Sequence, residues 1–89
     1  QIIMVDMIVE LENDNKYLIL DETILKNVKY YYGLRLDLNE EPTNNYLFFE
    51  ESKVFDDIFL LPIENNEIKE LLLTNFTVNF LDKVYDKVN

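Results

Sequence analysis

Apolar and polar residues alternate over residues 3–11, with Ile3, Val5, Met7, Val9 and Leu11 at odd positions and Asp6 and Glu10 at even ones. Successive side chains of a strand point to opposite faces, so this pattern predicts a half-buried first strand. Asn13, Asp14 and Asn15 follow. Their short polar side chains bond local backbone groups and tolerate left-handed conformations, which predicts a tight hairpin turn. Residues 16–20 are apolar on both faces through Tyr17, Leu18, Ile19 and Leu20, as in a strand covered on two sides. Residues 21–27 are too short and mixed to assign, although Ile24 and Leu25 are candidate anchors.

The clearest alternation runs over residues 28–38. Val28, Tyr30, Tyr32, Leu34, Leu36 and Leu38 share one face, and Lys29, Tyr31, Gly33, Arg35 and Asp37 share the other. A strand is predicted, with Tyr30 and Tyr32 inside and Tyr31 exposed beside Lys29 and Arg35 as an aromatic anchor. Gly33 is the only glycine, and inside a strand it marks a bulge or a close aromatic approach. Residues 39–45 have turn chemistry, 46–49 read as a fourth strand, and 50–57 read as a polar connection. Residues 58–63 form a short apolar fifth strand, which Pro62 places at an edge or brings to its end because proline cannot donate to a ladder.

Beyond Asn65, the residues Ile68, Leu72, Phe76, Phe80, Leu81, Val84 and Val88 recur every three or four positions. This predicts an amphipathic helix capped by Asn65 or Asn66. A sixth strand over 68–74 is the competing reading, because Thr74, Thr77 and Val78 are weak helix formers. The predicted architecture is α+β: an antiparallel sheet of four or five strands with a C-terminal helix packed on one face and the other face partly open. At 89 residues the chain has room for one core, so residues 1–89 are expected to form a single domain.

Charge changes this picture most. Residues 37–67 hold nine acids (Asp37, Glu40, Glu41, Glu50, Glu51, Asp56, Asp57, Glu64 and Glu67) against Lys53 alone, which gives −8 of the total of −10. Residues 1–36 contribute six acids against four bases, and residues 68–89 contribute three of each. A negative field repels phosphate backbones and anionic lipid while attracting cationic surfaces. Direct nucleic-acid or membrane binding is therefore not expected, and a basic protein, such as one that binds nucleic acid, is the expected partner. No apolar run approaches the roughly 20 residues that cross a bilayer. Residues 1–11 lack a basic start and a cleavage site and contain Asp6, so no signal peptide is expected and a soluble, cytoplasmic protein is.

Histidine and cysteine are both absent. That removes the usual neutral-pH proton shuttle, the thiol nucleophile and the commonest transition-metal ligands, and neither catalytic residues nor a metal or cofactor site is expected. The adjacent pairs Glu40-Glu41, Glu50-Glu51 and Asp56-Asp57 do not change this. Strand neighbours point to opposite faces, and a calcium loop needs a glycine at its sharp turn, where Gly33 does not stand.

The segment from Lys16 to Leu36 passes from a strand ending in Leu20-Asp21 through a short turn to Lys29-Tyr30-Tyr31, and Leu61-Pro62-Ile63-Glu64 later precedes the helix. This resembles short acidic proteins of unknown function from low-GC Gram-positive bacteria. The resemblance would cover most of the chain from Met7 on. It rests on hydrophobic pattern, and it departs where those proteins are more densely acidic after the second hairpin. It implies no catalytic or ligand residues.

The expectation is a non-catalytic interaction protein that presents Asp37, Glu40, Glu41, Glu50, Glu51, Asp56, Asp57 and Glu64, with Tyr31, to a basic surface. Its sharpest form is an inhibitor that imitates nucleic-acid charge, of an anti-defence or immunity type such as mobile elements carry. The alternative is a small housekeeping or structural domain, monomeric or homodimeric, whose charge only keeps it in solution.

Overall fold

The computed structural model describes residues 2–88. Five strands, β1 (Ile8–Glu10), β2 (Lys16–Leu25), β3 (Val28–Leu36), β4 (Pro42–Val54) and β5 (Asp57–Pro62), are followed by helix α1 (Asn66–Val88). Each strand pairs antiparallel with the next, in the order β1-β2-β3-β4-β5. β1, β3 and β5 therefore run one way, and β2 and β4 the other. This is the expected α+β arrangement, with the full five strands.

Local chemistry sets the turns. Lys26 and Asn27 both adopt left-handed backbone between the paired residues Leu25 and Val28, as a two-residue type I′ hairpin requires. The β2 ladder shifts register between Ile19 and Asp21, and a bulge there lets the strand continue to Leu25 through the segment that sequence left unassigned. The first strand is shorter than expected. Asp6 is left-handed and the Met7 N–H turns back to the Met4 carbonyl at 3.2 Å, so regular pairing begins only at Ile8. The expected polar connection over 50–57 is instead the second half of β4, whose residues Glu50 to Val54 pair with Leu61 to Asp57. Main-chain ladders accept polar residues as readily as apolar ones, and Glu50 and Glu51 lie half-buried within this one.

Both faces of the sheet are covered. One carries Tyr30, Phe48, Ile63, Leu72 and Phe76, where the helix crosses. Phe48 and Phe76 stack at 5.6 Å, and Tyr32 joins them. On the other, concave face Ile3, Tyr17, Ile19, Tyr31 and Phe49 form a second cluster with Met7, Val9 and Leu60 against it. Tyr31 is therefore fully buried, which corrects its expected exposure. Alternation assigned it to the right face, but that face is closed by the curl of the sheet and by Ile3. Gly33 has the expected close aromatic approach, since a Cβ there would stand 2.8 Å from Cε2 of Phe49.

The long helix forms, not a sixth strand over 68–74. The Asn65 side chain accepts the Ile68 N–H at 3.1 Å, the N-cap bond that offsets an orphan donor of the first turn. The apolar burial of the helix is concentrated in its first half, at Leu72 and Phe76. Phe80, Leu81 and Val84, expected in the apolar stripe, are exposed, and an ion pair of 3.6 Å from Lys83 to Asp21 ties the second half to β2. The side chain of Val88, also expected in the stripe, lies outside the described residues, as do Gln1 and Asn89. No helix among the described residues is long and apolar enough to cross a membrane.

Candidate functional site

The acidic residues of the middle segment lie on a framework set by β4, the longest strand at 13 residues. Asp37, Glu40 and Glu41 stand in the turn before it, and Asp56 and Asp57 stand after it, at its opposite end. A straight strand of 13 residues would span about 40 Å, and the register shift opposite Leu34 and Leu36 and the curl of the sheet bring the two ends closer than that. Glu50 and Glu51 occupy the middle of β4 on opposite faces, and Glu64 lies between β5 and the helix. The carboxylates are thus brought into two acidic ends joined by a few charges, not into one patch.

Two of them have structural duties. The Asp37 carboxylate accepts the N–H groups of Asn39 at 2.8 Å and Glu41 at 2.9 Å, which closes the β3–β4 turn as an aspartate side chain commonly does. Glu40 pairs with Lys16 at 3.3 Å. Asp37, Glu41, Glu50, Glu51, Asp56, Asp57 and Glu64 have no ion pair among the described residues. Nor does any set of three or more His, Cys, Asp or Glu side chains there come together as metal ligands.

The titratable groups with perturbed chemistry lie elsewhere. Tyr31 faces Lys29, whose ammonium stands 5.3 Å from the ring centroid, and Lys29 reaches Glu22 at 3.1 Å. Burial raises the Tyr31 pKa, and the carboxylates of Glu51 and Glu22 add to this while Lys29 opposes it. For Lys29, burial works against the charge, but the nearby Glu22 carboxylate and Tyr31 ring hydroxyl outweigh that and the pKa rises. Both shifts move the groups away from neutrality, whereas acid–base catalysts are tuned toward the working pH. The Tyr31 hydroxyl is buried without a hydrogen-bond partner of acceptable geometry.

No protein-family model, curated protein or solved structure matches this chain. Its geometry therefore has to speak for its function.

Two features escaped the sequence. The first is a pair of fully exposed apolar side chains at the turn tips, Leu38 before β4 and Phe55 after it, each with an acid, Asp37 or Asp56, on one side. Phe55 also holds left-handed backbone, a conformation bulky side chains rarely adopt. The signal for Phe55 is present in sequence as Val54-Phe55-Asp56-Asp57, an apolar pair against two turn-forming acids, but it marks a turn only once the strands on both sides are known. The second is an open cleft of about 670 Å³ between the two edge strands, with Met7, Val9 and Leu11 on the β1 side and Ile58, Leu60 and Pro62 on the β5 side. No periodicity in the chain announces it, because it arises from the curl of the whole sheet.

Proposed function

We propose that the protein is a non-catalytic binding protein that engages a basic surface on another protein, and in its sharpest form occupies a surface that otherwise binds nucleic acid. The observation that carries this reading is the unneutralised acid. Of the eight carboxylates singled out by sequence, only Glu40 has an ion pair among the described residues, while the chain as a whole carries −10. Charges left in water at that density steer cationic partners over long range and raise association rates. Acidic groups at the two opposite ends of β4 suit an extended cationic surface better than a point contact. The direction of the Lys29 and Tyr31 shifts supports binding over acid–base chemistry.

The test is capture of nucleic-acid-binding proteins on the immobilised chain at about 50 mM and about 500 mM salt, with duplex DNA as competitor. Screening shortens from about 10 Å at 0.1 M to about 3 Å at 1 M, so capture should fall steeply with salt and with added DNA. Changing Glu41 and Glu64 to Gln and Asp56 and Asp57 to Asn should weaken it similarly. Capture indifferent to salt, to DNA and to these substitutions would remove the basis of the proposal.

A further inference from the structure

The two free edges of the sheet face one cleft. β1 and β5 are the outer strands, neither pairs with the other, and residues of both line the same open volume. Because three strands, β2, β3 and β4, lie between them in an up-and-down antiparallel order, β1 and β5 run in the same direction. A single additional strand running like β2 and β4 would be antiparallel to both at once and would turn the open sheet into a closed six-stranded barrel.

The hydrogen bonds fix which backbone groups await that strand. On β5, the Ile63 N–H donates to the Phe48 carbonyl at 2.9 Å. Regular antiparallel alternation then turns Leu61 and Phe59 toward β4 and leaves the N–H and C=O groups of Leu60 and Ile58 on the free edge. Pro62 falls on that same outward phase, so its missing N–H costs the β4 ladder nothing. On β1, the Ile19 N–H donates to Met7 at 2.9 Å and the Leu11 N–H to Asn15 at 2.9 Å, which leaves Ile8 and Glu10 outward. The interior side is apolar through Met7, Val9, Leu11, Ile58 and Leu60, and the only charged lining residues, Glu10 and Glu12, are acidic.

We infer that this cleft receives an extended segment of the basic partner as a sixth strand, with apolar side chains at alternate positions pointing inward and lysine or arginine at the positions between. Unpaired main-chain groups on both walls call for an extended backbone, and the rim selects positive charge. A second copy of this chain is disfavoured by the same rim, since it would bring two strongly acidic molecules together. The inference deepens the reading above and rests on it for the charge of the partner.

The test uses the full chain with a peptide of about nine residues alternating valine and lysine, a length typical of strands. Its controls are an isomer with the valines and lysines in two blocks, and the alternating peptide N-methylated at every second amide. The alternating peptide should bind about tenfold more tightly than either control. It should also slow hydrogen exchange about tenfold or more at the amides of Ile8, Glu10, Ile58 and Leu60. Equal binding by the block isomer, or protection at other amides, overturns the strand site while leaving the charge-based reading in place. Protection of these four amides on self-association without peptide assigns the cleft to a second copy and also overturns it. Absence of salt-sensitive binding by any of the lysine peptides removes both readings.

Discussion

Replacing Gly33 by alanine probes the tightest contact in the concave core. Gly33 lies in the middle of β3 opposite Ile19 and Leu47, and its backbone is not left-handed, so alanine meets no conformational bar. On that ground alone the substitution would stabilise the fold by about 0.4–1 kcal/mol, through the lower entropy of the unfolded chain. The added Cβ, however, would sit 2.8 Å from Phe49 Cε2 and 3.4 Å from Tyr17 Cβ. Phe49 has no exposed surface and stands edge-on to Tyr17, with centroids 5.2 Å apart and planes at 79°. Its ring has nowhere to swing, and overpacking of this kind costs about 1–3 kcal/mol. The steric cost wins, leaving a net loss of about 1–2 kcal/mol, or a Tm lower by roughly 5–15 °C in a domain of this size. Thermal and urea unfolding followed by circular dichroism measure both quantities. A second variant isolates the cause: Phe49→Leu should cost about 1 kcal/mol less in the Gly33→Ala background than in the native chain, because the two changes share one contact. A Gly33→Ala protein as stable as the original, or additive behaviour of the pair, would refute the reasoning.

Two further outcomes follow from the same core and from the helix. Tyr31→Phe keeps the buried ring and removes a hydroxyl that has no hydrogen-bond partner, so it should raise stability by about 1 kcal/mol in urea unfolding. Tyr31 and Lys29 both have folded-state pKa values raised above their ordinary 10.0 and 10.5. The folded state thus holds these protons more tightly, and the associated stability is fully present below about pH 10 and is lost as pH climbs through the raised values. Tyr31→Phe should flatten that alkaline decline, by removing the Tyr31 titration and by reducing the Lys29 part to what Glu22 sustains. Asn65→Ala removes the cap on Ile68 N–H and should cost about 0.5–2 kcal/mol, read as a lower Tm with an earlier loss of helical signal.

What could be read along the chain and what could not divides by the range of the interaction concerned. The Asn65 cap was legible because it is settled within three residues, and the β3 alternation because both of its faces repeat. Gly33 announced a crowded neighbour, though not that the neighbour was Phe49, which lies on another strand. Alternation failed at Tyr31 in one respect: it reports which residues share a face, while solvent exposure depends on what covers that face. Here Ile3 and the curled sheet cover the concave side, and the helix covers the other. The second half of β4 was hidden because Glu50, Glu51, Ser52 and Lys53 have little strand propensity. They are held extended by pairing with β5, a partner whose register the two-residue turn at Phe55 and Asp56 sets. For the same reason, the acids that are adjacent in composition end up at opposite ends of a long strand, a separation that charge counting along the sequence cannot anticipate.

The open sheet and the acidity explain one another. An edge such as Ile58 to Leu61, apolar and with unpaired backbone groups, is a template for pairing with other chains, and natural sheets usually blunt such edges with charge, proline or a covering element. Here the only proline in β5, Pro62, comes at the end of the strand, and no lysine or arginine lines the cleft. Protection against self-pairing is left to the field. Two copies approaching edge to edge bring together −10 and −10, and the carboxylates nearest the contact, Glu10 and Glu12 on one wall and Asp57 at the start of the other, would face their own kind. Repulsion of this sort discriminates by penalising the wrong partner while leaving the right one untouched. A cationic strand meets the same groups as attractions. On the proposed reading, the charge that would draw a cationic partner is also what would allow the chain to keep a sheet edge open, and a partner that neutralises the rim would complete the barrel in the same step.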